Sequence, residues 1–102
     1  MTDERAFATR ADRTIAGLLD RIEAALGEAD AELRDGILTV ELPDGGTFVI
    51  NKHAPSREIW LSSPKSGAWH FGWNEAQDAW VSTRGPETLH GVLSADLAIE
   101  LG

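Results

Sequence analysis

Apolar residues recur at helical spacing near the start of the chain. Between residues 3 and 26 they fall at Phe7, Ala11, Ile15, Leu18, Leu19, Ile22 and Leu26. A stripe with this period covers one side of a helix and leaves polar residues on the other side. The pattern therefore predicts one long amphipathic helix.

After Gly27 the apolar period shortens to two residues, which is the period of a strand with one buried face. Alternating segments follow one another, and turn signals separate them, including Asp35-Gly36 and the sequence Pro-Asp-Gly-Gly at residues 43–46. Closely spaced turns of this kind are typical of antiparallel hairpins. The middle of the chain is predicted to form about six strands, mostly antiparallel.

Helical spacing returns in the last segment, TLHGVLSADLAIELG, where Thr88 is the predicted N-cap. Both helices are then free to cover the apolar face of the sheet. We predict an α+β fold, a two-layer sandwich with the N-terminal and C-terminal helices on one face of a sheet of about six strands. Residues 1–102 are expected to form a single domain, since this length suits one core.

Strand alternation also predicts what the other face of the sheet carries. In the segment EIWLS, Ile59 and Leu61 share one face, and Trp60 and Ser62 share the other. If the first pair is buried, an indole lies on the uncovered face, together with Thr39, Glu41, Asn51 and His70. Two interpretations stay open: Trp60 folds down over neighbouring side chains or is capped by a loop, as an ordinary solitary apolar residue, or Trp60 anchors a protein partner.

Charge limits the partners that the protein can have. The chain holds 17 acidic and 9 basic residues, for a formal net charge of −8. Such a field repels phosphate, so nucleic acids and anionic membrane surfaces are not expected as partners. The chain has no cysteine, no recognisable N-terminal targeting signal and no stretch long enough to span a membrane. These features predict a soluble cytoplasmic protein.

Acidic residues concentrate at the end of the first helix and just after it. Residues 20–35 carry six acids and two arginines, and helical geometry puts Asp12, Asp20 and Glu23 on one flank of the helix and Arg10, Arg13 and Arg21 on the other. This concentration is either a solvated surface or a weak oxygen-ligand site for hard cations, including Fe²⁺.

No motif predicts catalysis. The three histidines, His53, His70 and His90, lie in different elements without metal-ligand spacing. Neither a glycine-rich phosphate loop nor a nucleophile elbow is present in the sequence. The protein is therefore not expected to be an enzyme.

The segment NKHAPSREIWLSSPKSGAWHFGW at residues 51–73, followed by WVSTRG and TLHGVL, resembles the frataxin family. The IWLSSPKSG segment is closer to mitochondrial members, and WHF at residues 69–71 is similar to bacterial ones. The resemblance implies the same helix, sheet and helix fold. It places the protein in the bacterial cytoplasm, or in the mitochondrial matrix if the chain is a processed eukaryotic form.

The resemblance also implies a function. Frataxins bind iron weakly and exchangeably, and they bind a cysteine desulfurase and its scaffold protein, whose sulfur transfer they modulate during iron-sulfur cluster assembly. The alternative is an iron-handling protein, either ferroxidase-like or for storage and delivery, without direct regulation of the desulfurase. A monomer is expected, with an oligomer in the presence of iron as a second state.

Family positions map onto two sets of residues. The implied iron-binding ridge comprises Asp12, Asp20, Glu23, Glu28, Asp30 and Glu32. The implied docking surface comprises Trp60, Asn51, Ser56, Glu58, Ser62 and His70. Ser56 and His70 replace an Asn and an Arg of mitochondrial members, and Gly72 replaces a common Asp, so activation and inhibition of the desulfurase both stay open.

Overall fold

A computed structural model describes residues 4–27 and 29–101 of the chain. Its elements follow the predicted order of helix, strands and helix. They are α1 (Glu4–Ala25), β1 (Asp30–Arg34), β2 (Ile37–Glu41), β3 (Thr47–His53), a 3₁₀ turn (Ala54–Ser56), β4 (Glu58–Ser63), β5 (Gly67–Asn74), β6 (Ala79–Ser82) and α2 (Leu89–Leu97). Two helices packed against a six-stranded antiparallel sheet confirm the predicted fold class.

The six strands form one antiparallel meander in the order β1 to β6. Both predicted hairpin turns are present. Asp35 and Gly36 have φ angles of 54° and 78°, as a two-residue type I′ turn requires. In the turn at residues 43–46, the Leu42 amide donates to the Gly46 carbonyl at 2.8 Å, and Gly45 has a φ of 95°. Local turn chemistry therefore fixes the register of β1, β2 and β3.

The core lies between the sheet and the two helices. Helix α1 packs on β1 and β3, and α2 packs on β6. The predicted apolar stripe of α1 is buried at Phe7, Ala11, Ile15, Leu18 and Ile22, and the inner strand positions include Leu38, Val40, Phe48, Ile50, Ile59, Leu61 and Phe71. Ile59 and Leu61 are thus in the core, as predicted, and Trp69, Phe71 and Trp73 occupy the face opposite His70.

One buried polar contact ties α1 to the far edge of the sheet. Trp80, which is 2% exposed, donates its indole N–H to the Thr14 hydroxyl at 2.9 Å. Thr14 in turn donates to the Arg10 carbonyl at 2.9 Å, one turn back along the helix. The Trp80 indole is therefore buried without losing its hydrogen bond, and its ring meets Phe7 edge-on at 6.0 Å.

The sequence SSPKSG at residues 62–67 spans the turn between β4 and β5, and several of its side chains have a structural role there. The Ser63 hydroxyl donates to Asp96 of α2 at 2.8 Å and accepts from the amides of Lys65 and Ser66. The Ser66 hydroxyl bonds the same carboxylate oxygen. Gly67 follows with a φ of 92°, which disfavours other residues. These small polar residues attach the turn to the second helix.

The C-terminal segment closes over one end of the core. Thr88 caps α2 as predicted, because its hydroxyl accepts from the Gly91 amide at 3.0 Å. Leu101 is fully buried, its amide donates to the Ser94 hydroxyl at 3.1 Å, and the Arg21 guanidinium donates to its carbonyl. Across the ranges that the structure describes, no helix is long and apolar enough to cross a membrane.

Candidate functional site

The uncovered face of the sheet carries a row of side chains that runs across four strands. Ile37, Asn51, Trp60 and His70 are direct cross-strand neighbours on β2, β3, β4 and β5. Period-2 alternation points them away from the helices, because Ile50, Ile59, Leu61 and Phe71 next to them are buried. The structure therefore brings together three of the residues implied as docking positions, Asn51, Trp60 and His70.

Trp60 lies between two imidazole rings. The ring centroid of His53 is 3.8 Å from that of Trp60, and the ring of His70 is 4.3 Å away on the other side; both pairs are nearly parallel, at 12°. The indole is half-buried as a result. Imidazole rings therefore cover both faces of the indole, and no helix of the described residues covers the face of the sheet on which it lies.

Hydrogen bonds orient two of the three rings in this aromatic stack. Trp60 donates its indole N–H to Glu58 at 2.9 Å, two residues back on the same strand. The His53 Nδ1 and the Ser56 hydroxyl share a hydrogen bond of 2.7 Å. Ser56 lies in the 3₁₀ turn, and Arg57 follows it with a φ of 54° in the left-handed region. The implied docking residues Ser56 and Glu58 thus orient the stack.

Sequence reasoning missed two residues of this face. His53 is not among the residues predicted for this face, although it lies two positions after Asn51 and therefore points the same way. Ile37 is 44% exposed and begins the row beside Asn51. The same alternation that assigned Thr39 to this face would have assigned Ile37 to it as well.

The remaining predicted residues lie around the row. Ser62 is exposed, Thr39 is half-buried and Glu41 is exposed at the edge toward β1. On the other side, a cavity of about 460 Å³ opens next to His70, and its walls include Ser66, Arg84 and Glu87. Polar side chains therefore flank the row that contains Trp60.

The implied iron-binding carboxylates are spread over two surfaces. Asp12, Asp20 and Glu23 are exposed on α1. Asp30 and Glu32 are exposed on β1, and their pairing with Glu41 and Thr39 puts them on the uncovered face. Glu28 lies outside the described residues. Within residues 4–27 and 29–101, no three histidine or acidic side chains come close enough to hold a metal ion together.

Basic residues already occupy two of these carboxylates. Lys52 contacts both oxygens of Asp12, at 2.7 and 3.0 Å. Glu32 accepts from the Arg34 guanidinium at 2.7 Å, with both side chains well exposed. A cation that binds here therefore competes with an ammonium or a guanidinium group, and it finds at most a small number of oxygen ligands at each position.

Comparison with known proteins gives a consistent assignment. The sequence matches the model of the frataxin-like domain over residues 1–102. It is 37% identical over 98 residues to the iron-sulfur cluster assembly protein CyaY of Thioalkalivibrio sulfidiphilus, and the match covers 94% of this chain and 91% of that protein.

Solved structures agree in fold. Frataxin from Psychromonas ingrahamii superposes with a TM-score of 0.88 over 99% of both chains, at 20% identity. Trimeric frataxin from Saccharomyces cerevisiae, complexed with ferrous iron, superposes with a TM-score of 0.71, at 33% identity, over 96% of this chain and 85% of that chain. The chain described here belongs to the frataxin-like family.

Proposed function

We propose that this protein takes part in iron-sulfur cluster assembly as a non-enzymatic regulator. It modulates the transfer of sulfur from a cysteine desulfurase to its scaffold protein, and it binds iron weakly and exchangeably. The observation that carries the proposal is the ordered aromatic stack of His53, Trp60 and His70 on a sheet face that no helix covers. The name of the 37% identical bacterial relative, an iron-sulfur cluster assembly protein, supports the same role.

The face around Trp60 has the organisation of a protein-docking surface. Tryptophan is among the residues most often found at interface hot spots, and such residues usually lie inside a polar rim. Here the stack and the Glu58 hydrogen bond hold the indole before binding, so little side-chain entropy remains to be lost on docking. The proposed contact residues are Trp60, Asn51, Ser56, Glu58, Ser62 and His70, and we include His53 and Ile37 because they lie on the same face.

Iron is proposed to bind at the exposed carboxylates of α1 and β1. Oxygen ligands suit hard cations, and Fe²⁺ accepts them where no softer ligand competes. Scattered single carboxylates give low affinity and rapid exchange, in contrast to a fixed ligand set. The yeast frataxin that was solved with ferrous iron supports iron as the ion. The proposed ligands are Asp12, Asp20, Glu23, Glu28, Asp30 and Glu32.

Charge favours a basic partner. With a net charge of −8, the protein attracts a positively charged surface and repels nucleic acid and anionic lipid. Docking should therefore weaken as salt is added. At 0.1 M ionic strength the Debye length is about 10 Å, so exposed charges farther apart than this are largely screened from each other. The cytoplasm of a bacterium is the proposed location.

The test is the rate of sulfide release by the cysteine desulfurase in the presence of its scaffold protein and Fe²⁺. Adding this protein should change the rate, and Trp60→Ala should abolish the change while thermal unfolding shows that the fold is kept. A hot-spot tryptophan contributes about 2 kcal/mol or more, which corresponds to about a thirtyfold loss of affinity. Thr39→Ala, on the same face but outside the stack and the proposed contact residues, is the matched control.

The direction of the rate change would distinguish activation from inhibition. An unchanged rate at saturating concentrations of this protein would contradict the regulatory role. Oxygen consumption in stoichiometric proportion to Fe²⁺ added to the protein alone would instead indicate iron handling, which is the alternative function.

A further inference from the structure

The basic flank of α1 takes no part in the proposed docking or iron binding. Arg5, Arg10 and Arg13 line one side of a cavity of about 530 Å³, and Trp73 of β5 lines it from the sheet. The remaining described lining residues are small or hydroxyl-bearing, including Thr9 and Thr14, and none is acidic. Three of the nine basic residues of an acidic protein thus border one cavity.

An aromatic ring holds the central arginine. The Arg10 guanidinium lies 4.4 Å from the centroid of the Trp73 ring. At this distance a cation–π interaction attracts the guanidinium to the ring, and that attraction does not require its N–H groups to be used as hydrogen-bond donors. The Trp73 indole N–H has no hydrogen-bond acceptor in the described part of the chain, so packing and the guanidinium hold this ring in place.

None of the three arginines is neutralised within the described residues. The ion pairs there are Arg34 with Glu32 and Lys52 with Asp12. Arg10 is half-buried, and Arg5 and Arg13 are exposed beside it. The fork of a guanidinium matches two oxygens of a carboxylate or phosphate, and such charge-assisted bonds are the stronger class of hydrogen bond.

We propose that this cavity binds a small anion that carries two or more carboxylate or phosphate charges. Its volume is within the range of about 300 to 1,000 Å³ that is typical of small-molecule sites. Elsewhere the net negative charge of the protein opposes such an ion, so binding would be confined to this flank. The site lies on the helix face away from the Trp60 surface, and it is independent of the proposed role in cluster assembly.

Calorimetric titration with citrate and, separately, with inorganic phosphate tests the proposal at constant ionic strength. We expect saturable binding of at least one of them, and about a tenfold loss of affinity in Arg10→Gln and in Arg13→Gln, as for one lost charge-assisted contact. Arg34→Gln is the matched control, because it removes the same charge from β1 and should leave the affinity unchanged. Binding of citrate alone indicates a carboxylate ligand, and binding of phosphate alone indicates a phosphate ligand.

A fourth variant separates site geometry from folding. Arg10→Lys keeps the charge but loses the fork and the flat stacking surface, so we expect it to fold normally and to bind more weakly than the wild type. Two results would overturn the proposal. One is no saturation by either ion below about 10 mM, which is weaker than the usual range for specific sites. The other is an equal loss of affinity in Arg34→Gln, which would show that only net charge matters.

Discussion

Lys52 and Asp12 join the end of β3 to the middle of α1 through two short contacts between an ammonium nitrogen and a carboxylate. The distances are 2.7 and 3.0 Å, and the two side chains are 32% and 54% exposed. The contact therefore ties a carboxylate on the acidic flank of α1 to the sheet on which the apolar side of the helix packs. It also means that one proposed iron ligand already has a cation.

Replacing Lys52 should therefore strengthen iron binding. In Lys52→Ala the Asp12 carboxylate is free, and Coulomb attraction to Fe²⁺ is no longer offset by a cation in contact with it. We expect the affinity for Fe²⁺, measured by anaerobic titration calorimetry, to rise about threefold, which corresponds to less than 1 kcal/mol. Lys65→Ala, which removes the only other lysine, from the turn between β4 and β5, is the control. If both variants bind Fe²⁺ alike, Asp12 is not a ligand.

Removing either imidazole of the aromatic stack should loosen Trp60. His53→Ala and His70→Ala each uncover one ring face, so acrylamide should quench the Trp60 fluorescence more strongly. Because the chain has four tryptophans, each variant is compared with the same variant carrying Trp60→Phe, which isolates the signal. Binding to the desulfurase and scaffold should weaken severalfold, less than in Trp60→Ala. Quenching equal to that of the wild type would show that the stack does not persist in solution.

The Thr14 hydroxyl should contribute measurably to folding stability. Thr14→Val keeps the shape but removes the acceptor of the buried Trp80 N–H, and a buried donor left unsatisfied costs about 1 to 3 kcal/mol. Urea denaturation should show this as a lower midpoint with an unchanged slope. Thr9→Val, an exposed position on the same helix, should change the stability by less than about 0.5 kcal/mol. An equal effect at both positions would point to helix propensity rather than to the hydrogen bond.

His90 should make the stability depend on pH. Burial, with a smaller contribution from the nearby positive charge of Arg21, lowers the pKa of His90 below 6.5. The unfolded chain therefore takes up a proton more readily than the folded one. The stabilisation is fully present above pH 6.5 and is lost as the pH falls toward the lowered pKa. The free energy of unfolding of His90→Gln should fall less than that of the wild type between pH 7.5 and 5.5; parallel curves would contradict this.

Most of the fold could be predicted because its determinants are local. The apolar stripe of α1, the Asp35-Gly36 turn and the Thr88 cap each depend on residues close together in the sequence. The contact of Lys52 with Asp12 joins residues far apart in the chain, and it depends on how the helix crosses the sheet. The stacking of His53 on Trp60 depends on ring orientation, which alternation cannot give. Alternation predicts that both side chains point away from the helices, but it does not predict that the two rings contact each other.

The meander order of the sheet has a consequence for protein synthesis. Each strand pairs with the strand next to it in the chain, so hairpins can form one after another as translation proceeds. Helix α1 is translated before the sheet, but its Phe7 ring packs on Trp80 of β6, the last strand of the sheet to be translated. Until β6 has emerged, the apolar stripe of the nascent helix lacks part of its cover. We therefore expect the N-terminal helix to be the segment on which a chaperone acts during translation.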